Sequence, residues 1–485
     1  MKTQLARAIA ILLLVLFATQ SVWATCGGGG GGGGGGMSNG GGGGSNAPVY
    51  IVPWKVRKPK DPPAMGLVLY WFPASNNEIN NSSLRQSRAL SLYASQCVSM
   101  ELADTHIQNV DKLIGESKLP VAVLATPDGT PVSKIENKDG KLKVGDVEKV
   151  VDSEMKQRES AVDGQMKDAA DKVKAGDKDS AIKIYRAVLD QKCLFPKKAK
   201  EAAKQLKNLG VGEIASIPAA PVFEPRQSAL IERTMRRGLI AEMNAQYITA
   251  DQLYQRAHLM DPADPTPLRY LGENYRHNIG AWDKARKAFE TILNMPADPL
   301  SRSVALHGLG KMTIHDGEFK KGLALMERAV EEFPLALAYR NLAVYWNSEG
   351  DTAKGNAYTQ QALALDPKDP YNLVFAAVFM AANGKKDEAL RIARDNVNLM
   401  PASYNLAAIY AQNGQRDKAL ALLRRHFFQY ERYNSVRAKE MMEARVDAVF
   451  DSIRSDREFI ALTKGADGRL PIPMKNMGMR PGTNQ

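Results

Sequence analysis

A recurrence of about 34 residues constrains this chain more than anything else in it. Gly317, Gly350 and Gly384 follow one another at steps of 33 and 34 residues, and Pro334, Pro367 and Pro401 repeat the same steps. Small residues keep time with them: Leu309-Gly310, Gly322 and Ala329, then Leu342-Ala343, Gly355 and Ala362, then Ala377 and Ala389. A fixed period of this length marks a solenoid of helix-turn-helix units, none of which buries its apolar face alone.

The same pattern runs from Arg237-Gly238-Leu239-Ile240-Ala241 through Tyr247, Ala250, Tyr254, Ala257 and Pro262. These residues resemble the tetratricopeptide repeat (TPR), in which small residues let paired helices approach and bulky ones such as Tyr254, Phe289 and Met326 fill the gap to the next unit. Six units are expected over residues 226–464, closed by a capping helix near Met441–Phe450 and a short stop at Asp456–Leu462, with residues 465–485 a disordered tail. The expected fold class is an α-helical TPR superhelix, an α-solenoid, preceded by a small α/β domain.

The resemblance implies a concave face lined by the first helix of each unit. Its groove positions fall on Arg269, Glu273, Arg276 and His277, on His307, Lys311 and His315, and on Arg340 and Asn347. Further along, the face turns apolar and aromatic at Val344, Tyr371, Val374, Val378 and Tyr404. Arginines there could hold a carboxylate bidentately. The plain alternative for each polar residue is solvated surface, and for each tyrosine, packing between units.

Residues 64–158 read differently. Gly66-Leu-Val-Leu-Tyr-Trp-Phe72, Val98–Leu102, Leu119–Leu124 and Pro131–Ile135 have strand patterns, interleaved with helix-like segments at Leu84–Ser95, Val110–Ile114 and Val144–Met155. This α/β order resembles the thioredoxin-like fold, with Pro120 where that family carries its cis-proline. Where the family has Cys-x-x-Cys, this chain has Ser75-Asn76-Asn77-Glu78. Ser75 and Glu78 can neither attack a disulfide nor resolve one, so the resemblance implies a fold without its redox chemistry. Residues 159–210 carry one isolated TPR-like unit (Ala169, Gly176, Ala181, Tyr185), and residues 211–225, with Pro218, Pro221 and Pro225, are expected to be a linker.

The beginning of the chain reads as an export signal over residues 1–25: Lys2 and Arg7, then the apolar run Ile9–Phe17, then Val22-Trp23-Ala24. Cys26 follows, and Trp23-Ala24-Thr25-Cys26 resembles the bacterial lipobox, which implies acylation of Cys26. The alternative is cleavage after Ala24. Glycines at 27–36 and 40–44 and five prolines in 47–63 give residues 26–63 the composition of a tether and linker. Cys97 and Cys193 are then an even pair in an oxidising compartment, either bonded or two separate thiols.

The formal charge of +12 is spread along the chain, as solvated faces usually are. No HExxH, GxSxG or nucleotide-binding glycine loop occurs, and the six histidines are scattered. No catalytic residue, cofactor or metal site is expected, nor nucleic acid as a partner. The expected function is a non-catalytic scaffold in the bacterial cell envelope, periplasmic and membrane-anchored through Cys26, binding a protein or peptide. Alternatives are a thioredoxin-related thiol-handling protein, resting on Cys97 and Cys193, and binding of anionic polysaccharide, resting on the charge.

Overall fold

The computed structural model describes residues 49–57, 61, 63–103, 110–212, 214–398, 403–430 and 434–464. The signal, Cys26, the glycine run and the tail 465–485 lie outside them. Among the described residues, no helix is long and apolar enough to cross a membrane.

A four-stranded sheet comes first: β1 (Leu67–Phe72), β2 (Val98–Leu102), β3 (Val121–Ala125) and β4 (Pro131–Glu136). The order is β2-β1-β3-β4, with β1 parallel to β2 and antiparallel to β3, and β3 antiparallel to β4. Helices α1 (Asn76–Asn81) and α2 (Arg88–Ala94) connect β1 to β2, and α3 (Val110–Leu113) precedes β3. β1 and β3 read as unbroken apolar runs because the sheet is covered on both faces. The Leu119–Pro120 peptide bond is cis. At Ser75 to Glu78 the residues cap a helix: the Glu78 N–H donates to Ser75 Oγ, and the Glu78 carboxylate accepts from the Ala74 N–H at 2.7 Å and from Trp71 Nε1.

Three boundaries drawn from the sequence are corrected. Helix α4 (Val144–Lys174) runs unbroken for 31 residues through the 158/159 boundary. Its first turns bury Val147, Val151 and Met155 against the sheet, and its last turns pair with α5 (Lys178–Asp190), followed by α6 (Pro196–Asn208). The helical unit 159–210 is therefore not isolated but shares one core with the sheet. Within the 26–63 segment, residues 49–57 are a packed strap: Lys55 pairs beside β2, Val52 and Trp54 enter the sheet core, and Val49 and Tyr50 enter the core of the array. Within 211–225, Phe223 stacks on Tyr93 with ring centroids 4.4 Å apart, so that segment too is docked. Proline excludes helix from both and gives them the composition of linkers, yet extended backbone can pack when its alternate side chains are apolar.

Cys97 and Cys193 form a disulfide, Cα–Cα 5.7 Å, joining the start of β2 to the turn before α6. Gly66 lies so close to this bridge that a Cβ on it would sit 2.3 Å from the Cys97 carbonyl oxygen.

The array follows as six antiparallel helix pairs among the described residues: α7 (Pro225–Met243) with α8 (Tyr247–Met260), α9 (Pro265–Glu273) with α10 (Trp282–Leu293), α11 (Pro299–His315) with α12 (Phe319–Glu332), α13 (Ala336–Ser348) with α14 (Thr352–Leu365), α15 (Pro370–Ala382) with α16 (Lys386–Asn396), and α17 (Tyr404–Gln412) with α18 (Arg416–Arg425). Each turn within a pair contains one left-handed residue: Ala245, Gly280, Gly317, Gly350, Gly384 and Gly414. This conformation is nearly free for glycine and costly for other residues, which explains the glycine period. Asp264, Asp298 and Asp369 cap α9, α11 and α15, each followed by proline at the first helical position. At the closest crossing, Gly310 and Gly322 meet so tightly that a Cβ on Gly322 would lie 2.5 Å from the Gly310 carbonyl oxygen. After α18 come a π-helical turn (His426–Tyr430), α19 (Asn434–Val446), a 3-10 turn (Ala448–Ile453) and α20 (Arg457–Thr463).

Sheet and array meet at a buried ionic node. Arg88 of α2 donates from Nη2 to Asp261 at 2.6 Å, from Nε to Asp264 at 3.2 Å, and from Nη1 to Ser228 at 2.6 Å. Tyr50 of the strap donates to Asp264 at 2.8 Å. The Arg88, Asp261 and Asp264 side chains are at most 1% exposed. Replacing Arg88 by alanine leaves two carboxylates buried without their cation, a loss of about 3–5 kcal/mol. The expected outcome is a lower urea midpoint, with the transitions of sheet and array separating. The Cys97–Cys193 bridge spans 96 residues, and closing such a loop is worth about 4–5 kcal/mol in the chain-entropy account. Thiol titration of the denatured, unreduced chain should find both cysteines blocked, and reduction should lower the unfolding midpoint.

Candidate functional inner face

The first helices of units two to six present one side chain at a common step, three residues before the small residue of the helix crossing: Arg269, His307, Arg340, Val374 and Tyr404. One turn further along the same faces stand Glu273, Lys311, Val344 and Val378, and another turn on, His277 and His315. The structure thus gathers the groove residues onto one continuous face. Its polar end belongs to units two to four and its apolar end to units five and six.

These side chains do not line an open channel. Arg269, Glu273, Arg276, His307, Lys311, Arg340 and Tyr404 are buried, and His277, Asn347 and Tyr371 are partly buried. The expectation of a solvent-lined groove is corrected for two physical reasons. First, neighbouring units lace the face together. Arg269 Nη1 donates to Ser301 at 3.3 Å, the Asn341 amide meets His307 Nε2 at 2.7 Å, and Arg340 Nη1 donates to Asn372 Oδ1 at 2.7 Å. Asn372 in turn donates to the carbonyls of Ala362 and Asp366, so its oxygen is the atom turned to Arg340. Second, α19 and Asp447, the residue just past its end, lie across the face. Glu443 accepts from His315 Nε2 at 2.6 Å, Glu440 pairs with His426, and the Tyr404 hydroxyl donates to Asp447 at 3.0 Å.

The electrostatics are those of crowded cations in a poorly solvated space. Burial, then Arg276, Lys311 and Arg340, push the His307 imidazole well below its ordinary pKa, so it is neutral. With Nε2 accepting from Asn341, its proton sits on Nδ1, which is buried without a hydrogen-bond partner, as are Nε and Nη2 of Arg269. Burial raises the Glu443 carboxyl, but His315, Lys311 and Arg276 outweigh it and bring the group down to about 2. Burial opposes the Lys311 ammonium, while Tyr345 and Glu443 hold it above its usual value. Arg276 is also paired with Glu273 at 2.7 Å. Such a face favours carboxylates and offers no nucleophile beside a base. Among the described residues, no group of three histidine, cysteine or acidic side chains is close enough to share a metal ion.

Sequence reasoning missed Glu440, Glu443 and Asp447, which complete the face from outside the repeats. Their spacing of three and four residues, one helical face, was the available signal.

His277 supplies a test by pH. Burial, then Arg276, lower its pKa to about 4, with Glu440 opposing and His426 and Lys311 adding to the shift. The unfolded chain takes up this proton near pH 6.5. Stability from a neutral His277 is therefore complete above about 6.5 and falls as the pH drops toward 4, by on the order of 3 kcal/mol. The His277→Gln chain should show a flatter melting temperature over that window, while the loss carried by Glu443 stays below about pH 4.5.

No family model matches the chain. Among curated proteins it is 26% identical over 224 aligned positions to the CTR9 homolog of Arabidopsis thaliana, covering 36% of this chain and 20% of that protein. The chain thus spans a small part of the relative it matches. Among solved structures it is similar to TTC0263, a thermophilic TPR protein of Thermus thermophilus, at 21% identity over 39% of this chain and 98% of that one, with a TM-score of 0.31. It is also similar to MamA, at 20% identity over 33% and 93%, TM-score 0.26. A third likeness is to the APC/C hetero-tetramer Cut9–Hcn1, at 14% identity over 59% and 63%, TM-score 0.31. At these scores the solenoid is argued from the chain's own helix pairs.

Proposed function

We propose that this chain is a non-catalytic protein-interaction scaffold of the TPR type, exported to the bacterial cell envelope and tethered through an acylated Cys26. Its inner face would hold a protein or peptide by carboxylate groups. The observation that carries this reading is a column of N–H donors: Arg269, His307 and Arg340 recur at one step of successive units, and buried N–H groups of Arg269 and His307 have no hydrogen-bond partner. Leaving such donors unmet costs about 1–3 kcal/mol each, which a carboxylate ligand would recover. The sheet is read as a thioredoxin-like domain without redox function, supported by its strand order and the cis bond at Pro120. Export and the lipid anchor rest on the residues from Lys2 to Cys26 alone.

Immobilised full-length chain should capture an envelope protein that an Arg269→Gln/Arg340→Gln chain retains at least tenfold less, with circular dichroism unchanged. Equal capture by the two would remove the basic face from the function. The thiol-handling reading is kept in view by the Cys97–Cys193 bridge. It requires reduction of insulin by the chain, and the Ser75 to Glu78 segment predicts none.

A further inference from the structure

Helix α19 does not continue the array but turns back over it. Its carboxylates reach side chains far apart in sequence: Glu443 meets His315 of unit three, and Glu440 meets His426 after the last pair, while Asp447, just past its end, meets Tyr404 of unit six. Residues 440, 443 and 444 share one helical face. Beside the carboxylates, Met441 and Ala444 are buried in the apolar core of the last units. This is how an amphipathic helix fills a groove: apolar anchors give area and carboxylates give register.

Closing the end of the solenoid is largely a separate task. Phe450 and Ile453 of the 3-10 turn and Phe459 and Leu462 of α20 cover the apolar side of the last pair. Arg416 fastens them, donating to Asp456 at 2.6 Å and to Glu458 at 3.1 Å. The face beneath α19 also keeps hydrogen-bond donors to spare, since those of Arg269 and His307 remain unmet after Glu440 and Glu443 are paired.

We propose that α19 is a tethered occupant of the inner face, and that the partner is a helix with carboxylates at i and i+3 flanking an apolar residue, which binds by displacing it. This rests on the interaction-scaffold reading and names the partner's chemistry. A tethered segment competes at an effective concentration in the millimolar range. Weakening its own contacts should therefore expose the face to a free helix without altering the face itself.

The test uses the full-length chain, a full-length Glu440→Gln/Glu443→Gln chain, and a fluorescent synthetic peptide of residues 434–447. The peptide should bind the substituted chain at least tenfold more tightly than the unaltered one, and a peptide with glutamine at both positions should bind neither. Equal binding to the two chains, or no binding to the substituted chain, overturns the proposal. Hydrogen exchange on the unaltered chain guards against a merely loosened variant. Saturating peptide should speed exchange at least tenfold in Asn434–Val446 and leave Pro299–His315 protected, and unchanged protection of α19 also overturns it. Displacement of α19 by the peptide without any Arg269/Arg340-dependent envelope partner would refute the envelope scaffold and leave the displaceable helix standing. An envelope partner captured while α19 stays in place would do the reverse.

Discussion

Arg88 holds the molecule together at its most expensive point. A guanidinium with almost no solvent contact is tolerable only when its donors are met, and here two aspartates, a serine and a tyrosine meet them. Asp264 is shared between tasks, because its other oxygen caps α9 and so sets where unit two begins. Burial and the neighbouring Asp264 push Asp261 above the usual carboxylate range, against the opposing pull of the guanidinium and the Val222 N–H. The inner face starts a short way beyond this node, at Arg269. The register of the Arg269, His307 and Arg340 column is thereby tied to the docking of the sheet domain.

Along the face, the same packing rule yields two chemistries. The step that holds Arg269, His307 and Arg340 in units two to four holds Val374 and Tyr404 in units five and six. A repeat fixes where a side chain points and leaves its identity open, so a solenoid can grade from charged to apolar while keeping its fold. Helix α19 matches that gradient, with Glu443 over the charged end and Met441 and Ala444 in the apolar core of the last units.

The parts legible in the sequence are those governed by local rules. The left-handed turn in each pair demands glycine at nearly every unit, so the array shows its period, and strands buried on both faces show as unbroken apolar runs. The common step of Arg269, His307 and Arg340 was legible for the same reason. What covers them was not, because α19 belongs to no repeat and its contacts reach back to the Asn274–Ile279 segment of unit two. The docking of the strap was equally hidden: Tyr50 meets Asp264 across 214 positions, and Val49 accepts from the Tyr270 hydroxyl across 221. The apolar run from Val49 to Trp54 hinted at burial, but the surrounding prolines suggested a spacer. Helix α4 misled for the opposite reason, since one uninterrupted helix serves two packing tasks and leaves no break at the seam.

At 1.5 Å per residue, α4 is a rod of about 46 Å. One end is packed on the sheet and the other carries the helical hairpin that the disulfide ties back to β2. Rod, bridge and sheet form a closed truss in which no member can turn without the other two. A chain cut near residue 158 would divide one core between its two pieces, so sheet, rod and helical hairpin have to fold as one body.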